Sequence, residues 1–224
     1  MNDYLLSILL GAIEGLTEFL PVSSTAHLRI AEALFRIDLG NGFWKMYSVV
    51  IQLGAVLALT AFFWRRILIF LRTFPRGERG DRTVLTHPLS LVLIAFIVTA
   101  IPTFLLSKLI GKNLENLHVM AFALLIGGIV MWLVDSFFVR PRIQQMEETN
   151  LPTAVWIGAV QVLSAIFPGT SRSMCTIAAG QMAGMSREAA LEFSFFLSIP
   201  TMFAATSYDP VSYTHLTLPT NREV

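Results

Sequence analysis

Glu14 and Glu18 stand four residues apart in an otherwise apolar stretch near the start of the chain, GAIEGLTEFLPVSSTAH, residues 11–27. That spacing puts both carboxylates on one helix face, about a turn apart. At mid-bilayer a charged side chain costs roughly 2.5–3.5 kcal/mol on insertion scales. Two buried carboxylates that close repel, so one takes up a proton or a cation binds between them. Magnesium is usually held by one or two carboxylates plus substrate phosphate oxygens, which makes Glu14 and Glu18 candidate metal ligands and catalytic acids. After Pro21, Ser23, Ser24 and Thr25 are N-cap candidates for a second helix, AHLRIAEALF. A helix N-terminus, with free N–H groups and a positive dipole end, suits an anion. His27 follows Ser24 by three positions, can share its helix face, and is a candidate acid or base near neutral pH.

The same pattern recurs later in the chain. GAVQVLSAIFPGTSRSM begins at Gly158, an offset of 147 residues from Gly11. Without gaps, Ala12 meets Ala159, Glu14 meets Gln161, Leu16 meets Leu163, Pro21 meets Pro168 and Ser24 meets Ser171, while Thr25 falls opposite Arg172. Thr170 and Ser171 precede RSMCTIAAGQMAGM as N-cap candidates. Arg172 then lies in the first turn of a helix, where a cation is unfavourable unless an anion compensates it. Its guanidinium suits bidentate phosphate contacts. Gln52, a single polar residue within VVIQLGAVLAL, is a weaker site candidate.

These groups need a scaffold, and the composition says which kind. Of 224 residues, 54% are apolar and 14% charged, with a mean hydropathy of +0.65; soluble domains run at about 45–50% and about 25%. The expectation is an all-α, polytopic membrane protein. A net charge of +1 gives no signal for nucleic acid, and the single cysteine, Cys175, excludes an internal disulfide. No CxxC or His/Cys cluster suggests zinc. Segments 43–64, 86–106 and 117–138 are long enough to span a bilayer, which takes about 20 residues. Between the first two lie Arg65, Arg66, Arg72, Arg76, Arg79 and Arg82 against Glu78 and Asp81, which the positive-inside rule puts in the cytoplasm. SKLIGKNLEN is then external, VRPRIQQMEETN with Arg140 and Arg142 is cytoplasmic, and the opening segment starts outside.

Segments 4–20 and 154–167, stopped by Pro21 and by Pro168-Gly169, are too short or interrupted for ordinary spans. They read as re-entrant, and such backbone must be buried in protein or line a wet cavity. Three spans between the copies reverse their direction, so the repeat is inverted, and a binding site is expected where the two breaks meet. The N-terminus lacks a basic n-region, Asp3 being the one charge before Glu14, and reads as mature structure rather than a cleaved leader.

The residues EGLTEFLPVSSTAH (14–27), VVIQLGAVLA (49–58), FPGTSRSMCT (167–176) and QMAGMSREAALEFSFFLSIP (181–200) resemble the undecaprenyl-diphosphate phosphatase, or bacitracin-resistance, family of bacterial inner membranes. The resemblance runs to about residue 209. It implies removal of the terminal phosphate from undecaprenyl diphosphate, returning the monophosphate carrier to peptidoglycan synthesis. It also implies dependence on a divalent cation, Mg2+ or Ca2+, and a pocket open to the periplasm. By motif, Glu14 and Glu18 would be the metal and catalytic carboxylates, His27 an acid–base residue, and Ser24 a nucleophile or phosphate ligand. Ser171, Arg172 and Thr176 would hold the diphosphate, with Ser23, Thr25, Gly169, Ser173 and Gln52 as further substrate-binding candidates. Ala26 stands where the family commonly has Gly. The expected partners are the polyprenyl diphosphate, membrane lipids and a second copy of the chain, with no nucleic acid. From Pro210 the chain reads PVSYTHLTLPTNREV, polar where the family continues through spans. Residues 1–209 are thus expected to form the membrane domain, and 210–224 a foreign or frameshifted tail. Attack by Ser24 and attack by water remain open alternatives, and a lipid-phosphate flippase using the same anion cradle is the rival function.

Overall fold

The computed structural model describes residues 2–37, 42–78, 80–110 and 117–217. The architecture is all-helical: α1 (Asp3–Thr17), α2 (Ser24–Leu34), α3 (Gly42–Phe62), α4 (Trp64–Thr73), α5 (Pro88–Ile110), α6 (Leu117–Phe137), α7 (Leu151–Ile166), α8 (Arg172–Met182) and α9 (Arg187–Thr217). A short 3-10 turn, Met146–Glu148, precedes α7. Among the described residues the one extended pairing is an isolated parallel bridge between Ile143 and Met185.

Among the described residues three helical stretches are long and apolar enough to cross a bilayer: Pro88–Leu106, Leu117–Phe137 and Arg187–Thr206. Their outer faces remain apolar and open, with Phe104 67% and Trp132 69% exposed. Large patches of that kind are rare on soluble monomers and mark a lipid or protein contact. The expected span 43–64 is realised differently. α3 ends at Phe62, and the chain turns by 64° into α4, the two together making up one broken span or re-entrant segment. The sequence WRRILIFLRT explains the bend. Phe70 is buried, Ile67 packs on the core, and Arg65 and Arg72 remain exposed. A straight continuation would carry Ile67 and Phe70 beyond the bilayer into water along with Arg65 and Arg66; turning lays a two-faced helix at the interface.

The third candidate span, in α9, was not marked by hydropathy alone. Arg187, Glu188 and Glu192 at its start and Ser194 and Ser198 within it dilute the apolar signal. Ser194 and Ser198 are buried because α9 is central: half of its apolar window is buried, and Phe193 and Leu197 are fully enclosed, while Arg187 and Glu188 lie exposed at its start. The main core joins residues of α4 to α9, while a smaller cluster of Leu6, Leu10, Leu28, Ala31 and Trp44 joins α1, α2 and α3.

Close packing of α5 on α7 depends on Gly158, because a Cβ there would run into the Ala95 backbone. Thr99 Oγ1 lies 2.8 Å from the Gly158 carbonyl and 2.9 Å from that of Ala95, so its proton is shared across the same contact. On the other side of the molecule, Tyr47 Oη donates to the Ser7 carbonyl at 2.6 Å and ties α3 to α1. Arg79, most of the loop SKLIGKNLEN and the side chains of the 210–224 tail lie outside the described residues.

Candidate active site

Two helix–break–helix units supply the site, α1–α2 and α7–α8. The second helices, α2 and α8, are each 11 residues long. In the first unit, Ser23 caps α2: its Oγ accepts from the Ala26 N–H at 3.4 Å, with the backbone held at φ 63, a left-handed conformation unusual for a residue with a side chain. In the second, Ser171 caps α8 by accepting from the Met174 N–H at 3.3 Å. Gly169 makes that turn at φ +86, where a Cβ would strike the Met120 backbone. Pro21 and Pro168 interrupt each unit at the same place, as expected of a residue that cannot extend a helix.

The two breaks face each other across a cavity of about 140 Å³. Its walls come in pairs separated by the repeat offset: Thr17 with Ser164, Ser23 with Thr170, Ser24 with Ser171, and Thr25 with Arg172. Glu18, Leu20, Gln52, Ser173 and Met202 complete it. Glu18 and Arg172 meet here, the guanidinium Nη2 donating to Glu18 Oε1 at 2.6 Å. Ser24 Oγ donates to the other carboxylate oxygen at 2.5 Å. Ser173 Oγ donates to the Leu20 carbonyl at 3.2 Å, a second polar tie between the breaks.

Each of the paired charges sits at the wrong end of its own helix. Glu18 follows the C-terminus of α1, where a cation is favoured, and Arg172 opens α8, where an anion is favoured. Pairing across the cavity relieves both. Arg172 still has capacity to spare, since its Nη1 is buried without a partner. Glu14 lies one turn behind Glu18 and does not line the cavity. It is 1% exposed, both carboxylate oxygens lack a hydrogen-bond partner, and Glu18 and Arg172 act on it electrostatically. Its repeat counterpart Gln161 is equally enclosed at 1%, and reaches Thr201 Oγ1 through Nε2 at 3.3 Å.

The structure therefore brings Glu18, Ser23, Ser24, Thr25, Gln52, Ser171, Arg172 and Ser173 onto one cavity. Three other residues singled out in the sequence lie around it instead. His27 Nδ1 is bonded to the Ser23 carbonyl at 2.8 Å, and its ring is not on the cavity wall. Thr176 Oγ1 shares a hydrogen bond with Ser194 Oγ at 2.6 Å, joining α8 to α9. Gly169 shapes the turn against α6. Sequence reasoning did not select Thr17, Ser164 or Met202. The repeat alignment already placed Thr17 opposite Ser164, and two aligned hydroxyls just before two aligned breaks were the available signal.

Fold and site together define a helical membrane protein with a polar, hydroxyl-lined cavity between two helix–break–helix segments. The family described as Bacitracin resistance protein BacA matches residues 7–223, and the chain belongs to that family. It is 65% identical over 210 residues to a protein of Koribacter versatilis (strain Ellin345), covering 93% of this chain and 73% of the relative. Relatives from Nitrobacter hamburgensis and from Bradyrhizobium sp. (strain ORS 278) are 40% and 42% identical, over 209 and 212 residues, each match covering 93% of this chain and 75% of the relative. All three relatives are named undecaprenyl-diphosphatase.

Proposed function

We propose that the chain hydrolyses undecaprenyl diphosphate to undecaprenyl phosphate and inorganic phosphate, recycling the lipid carrier for peptidoglycan synthesis. The observation that carries this reading is the Glu18–Arg172 pair, drawn from opposite breaks into one hydroxyl-lined cavity. Arg172 Nη1, buried and unpartnered, is a donor awaiting an oxyanion. The N-termini of α2 and α8, capped by Ser23 and Ser171, add N–H groups and positive dipole ends to the same walls. At about 140 Å³ the cavity suits a polar headgroup, leaving the polyprenyl chain to run along the apolar exterior.

In this reading Ser24 is the nucleophile. Its hydroxyl already donates to Glu18, the arrangement of a hydroxyl nucleophile with its base. In the forward step a bond forms between Ser24 Oγ and the terminal phosphorus while the bridging P–O bond breaks. The serine proton goes to Glu18 and undecaprenyl phosphate departs; water then cleaves the phosphoserine. Arg172 releases Glu18 as its fork turns to the diphosphate, binding charge that moves towards the bridging oxygen.

The residues also fit a divalent cation. Glu14 offers two enclosed, unmet carboxylate oxygens one turn from Glu18, and among the described residues no three acidic, histidine or cysteine side chains form an all-protein cage. Two carboxylates completed by substrate oxygens is the usual magnesium pattern. When bound, Mg2+ or Ca2+ would neutralise diphosphate charge. The matched breaks, separated by three apolar helical passes, support an inverted repeat of re-entrant hairpins. The arginine-rich α3–α5 connection supports a cytoplasmic location for that end and a periplasmic opening for the cavity, in the bacterial inner membrane.

Phosphate release from undecaprenyl diphosphate by purified protein in detergent with Mg2+ tests the activity and separates it from flipping, because a micelle has no two sides. Release by the wild type and its near-abolition in Glu18→Gln and Arg172→Ala are expected; no release by the wild type would overturn the reading. Radiolabelled phosphate trapped on the wild type and lost in Ser24→Ala is expected for the serine route; hydrolysis continuing in Ser24→Ala would assign the attack to water.

A further inference from the structure

A second cavity, larger than the one described above, stands apart from it. About 510 Å³ of space lies beside α4, the loop into α5, the 3-10 turn and the start of α9, sharing no residue with the first cavity. That volume falls in the range of small-molecule sites, roughly 300–1,000 Å³. Its walls carry six carboxylates, Glu78, Asp81, Glu147, Glu148, Glu188 and Glu192, against the guanidinium groups of Arg66 and Arg82. Arg66 is already committed to Glu147 and Glu192, and Arg82 lies 3.9 Å from Asp81. Among the described residues an excess of negative charge is left, which favours a cationic occupant.

Acidity alone would not make this a site; His87 supplies the second observation. It lines the same cavity, is 0% exposed, and its Nε2 has no hydrogen-bond partner. Its other nitrogen, Nδ1, accepts from the Leu89 N–H at 3.2 Å. A ring nitrogen that accepts carries no proton, so in the neutral imidazole the proton is on Nε2. Burial, reinforced by the Arg82 charge, holds the ring below the usual histidine range and therefore neutral. Nε2–H is thus a buried donor without an acceptor, an arrangement native proteins rarely leave unmet. Phe70 and Phe74 stand edge-on to the ring at 6.1 and 5.2 Å between centroids and fix its plane. Glu147, also on the lining, has in Oε2 a buried acceptor without a donor.

We propose that this cavity binds a small organic cation that also carries an oxygen acceptor, an aminoethoxy group whose ammonium meets the carboxylates while its oxygen accepts from His87 Nε2–H. A bare metal ion fits less well, since among the described residues no three acidic or histidine side chains converge as ligands. A simple alkylamine would satisfy the acids and leave Nε2–H unmet. The aminoethoxy unit occurs in soluble amino alcohols and in the phosphatidylethanolamine headgroup, and α4, with Trp64, Leu71 and Phe74 exposed beside the cavity, puts this end of the molecule within reach of both.

Paired probes test the proposal. Binding of diaminopropanol and of diaminopropane to the full chain in detergent is followed by calorimetry, together with phosphate release as a check on integrity. The wild type is expected to bind the hydroxylated probe saturably and about fivefold tighter than the alkyl one, the scale of one hydrogen bond. His87→Phe should bind both equally, and Glu188→Gln, at an exposed position, should weaken both several-fold while phosphate release is unchanged. Absence of saturable binding, or equal affinity for the two probes in the wild type, would overturn the proposal. Phosphatidylethanolamine added to the detergent micelles, against an equal amount of diacylglycerol, which carries no amine, identifies the source: weaker probe binding with the former assigns the site to the lipid headgroup, and equal binding to a soluble amino alcohol.

Discussion

The first and second breaks share a scaffold and differ in charge. Both end a short apolar helix at a proline, restart with a serine N-cap and turn hydroxyls into the same cavity. Yet Glu14 stands where the second unit has Gln161, Glu18 where it has Ala165, and Thr25 where it has Arg172. Most repeated features fold the backbone, Ser24 with its counterpart Ser171 being the exception; the unrepeated ones are the charges that the proposed reaction uses. One unit carries the acids and the other the guanidinium. A diphosphate needs both a cation for its oxygens and a base for its attacker, and neither unit supplies the two alone.

Substitutions that erase this asymmetry give a graded test. Arg172→Ala, or Glu18→Gln, should lower phosphate release by at least about 100-fold, the usual scale for losing a charge-stabilising contact in a dry site. Glu14→Gln gives the first unit the side chain of the second. It should leave the chain folded, as circular dichroism would show, while release falls at least about tenfold and the rate no longer rises with added Mg2+; an unchanged Mg2+ response would remove Glu14 from the cation site. The reciprocal site predicts a structural effect only: Gln161→Ala should cost about 1 kcal/mol of stability through its bond to Thr201 and retain activity. The two units also differ in how tightly their first helices pack. Gly158→Ala should destabilise by about 1–3 kcal/mol, because the intruding Cβ meets immovable backbone of Ala95. Gly11→Ala meets only Tyr47 Oη at 3.6 Å, and should be neutral or stabilising by up to about 1 kcal/mol. Thermal unfolding in detergent compares the pair, and equal losses would mean that the packing difference carries no energy.

Much of the site was legible because buried charge in an apolar sequence is expensive. Glu18 and Arg172 each announced a need for a compensating charge, and the gapless repeat said where the two breaks would meet. Thr17 and Ser164 were present in that same alignment but look like ordinary helical hydroxyls until their walls face one another. The enclosure of Glu14 behind the cavity depends on tertiary packing that no spacing encodes. So does the ring of His27 lying off the wall, since its bond to the Ser23 carbonyl follows from the left-handed cap. Among the elements, α5 and α6 were read directly from hydropathy. The bend after Phe62 was hidden inside one continuous apolar run, and α9 was masked by polar residues, of which its central position buries Ser194 and Ser198.

The claim that the two breaks act on one diphosphate is tested most directly by a double-mutant cycle. Phosphate release, as kcat/KM, would be measured for the wild type, Glu18→Gln, Arg172→Ala and the double variant. Residues working as a unit are grossly non-additive, so the double variant should be about as impaired as the worse single one. Losses that multiply independently, or wild-type turnover in either single variant, would contradict the account.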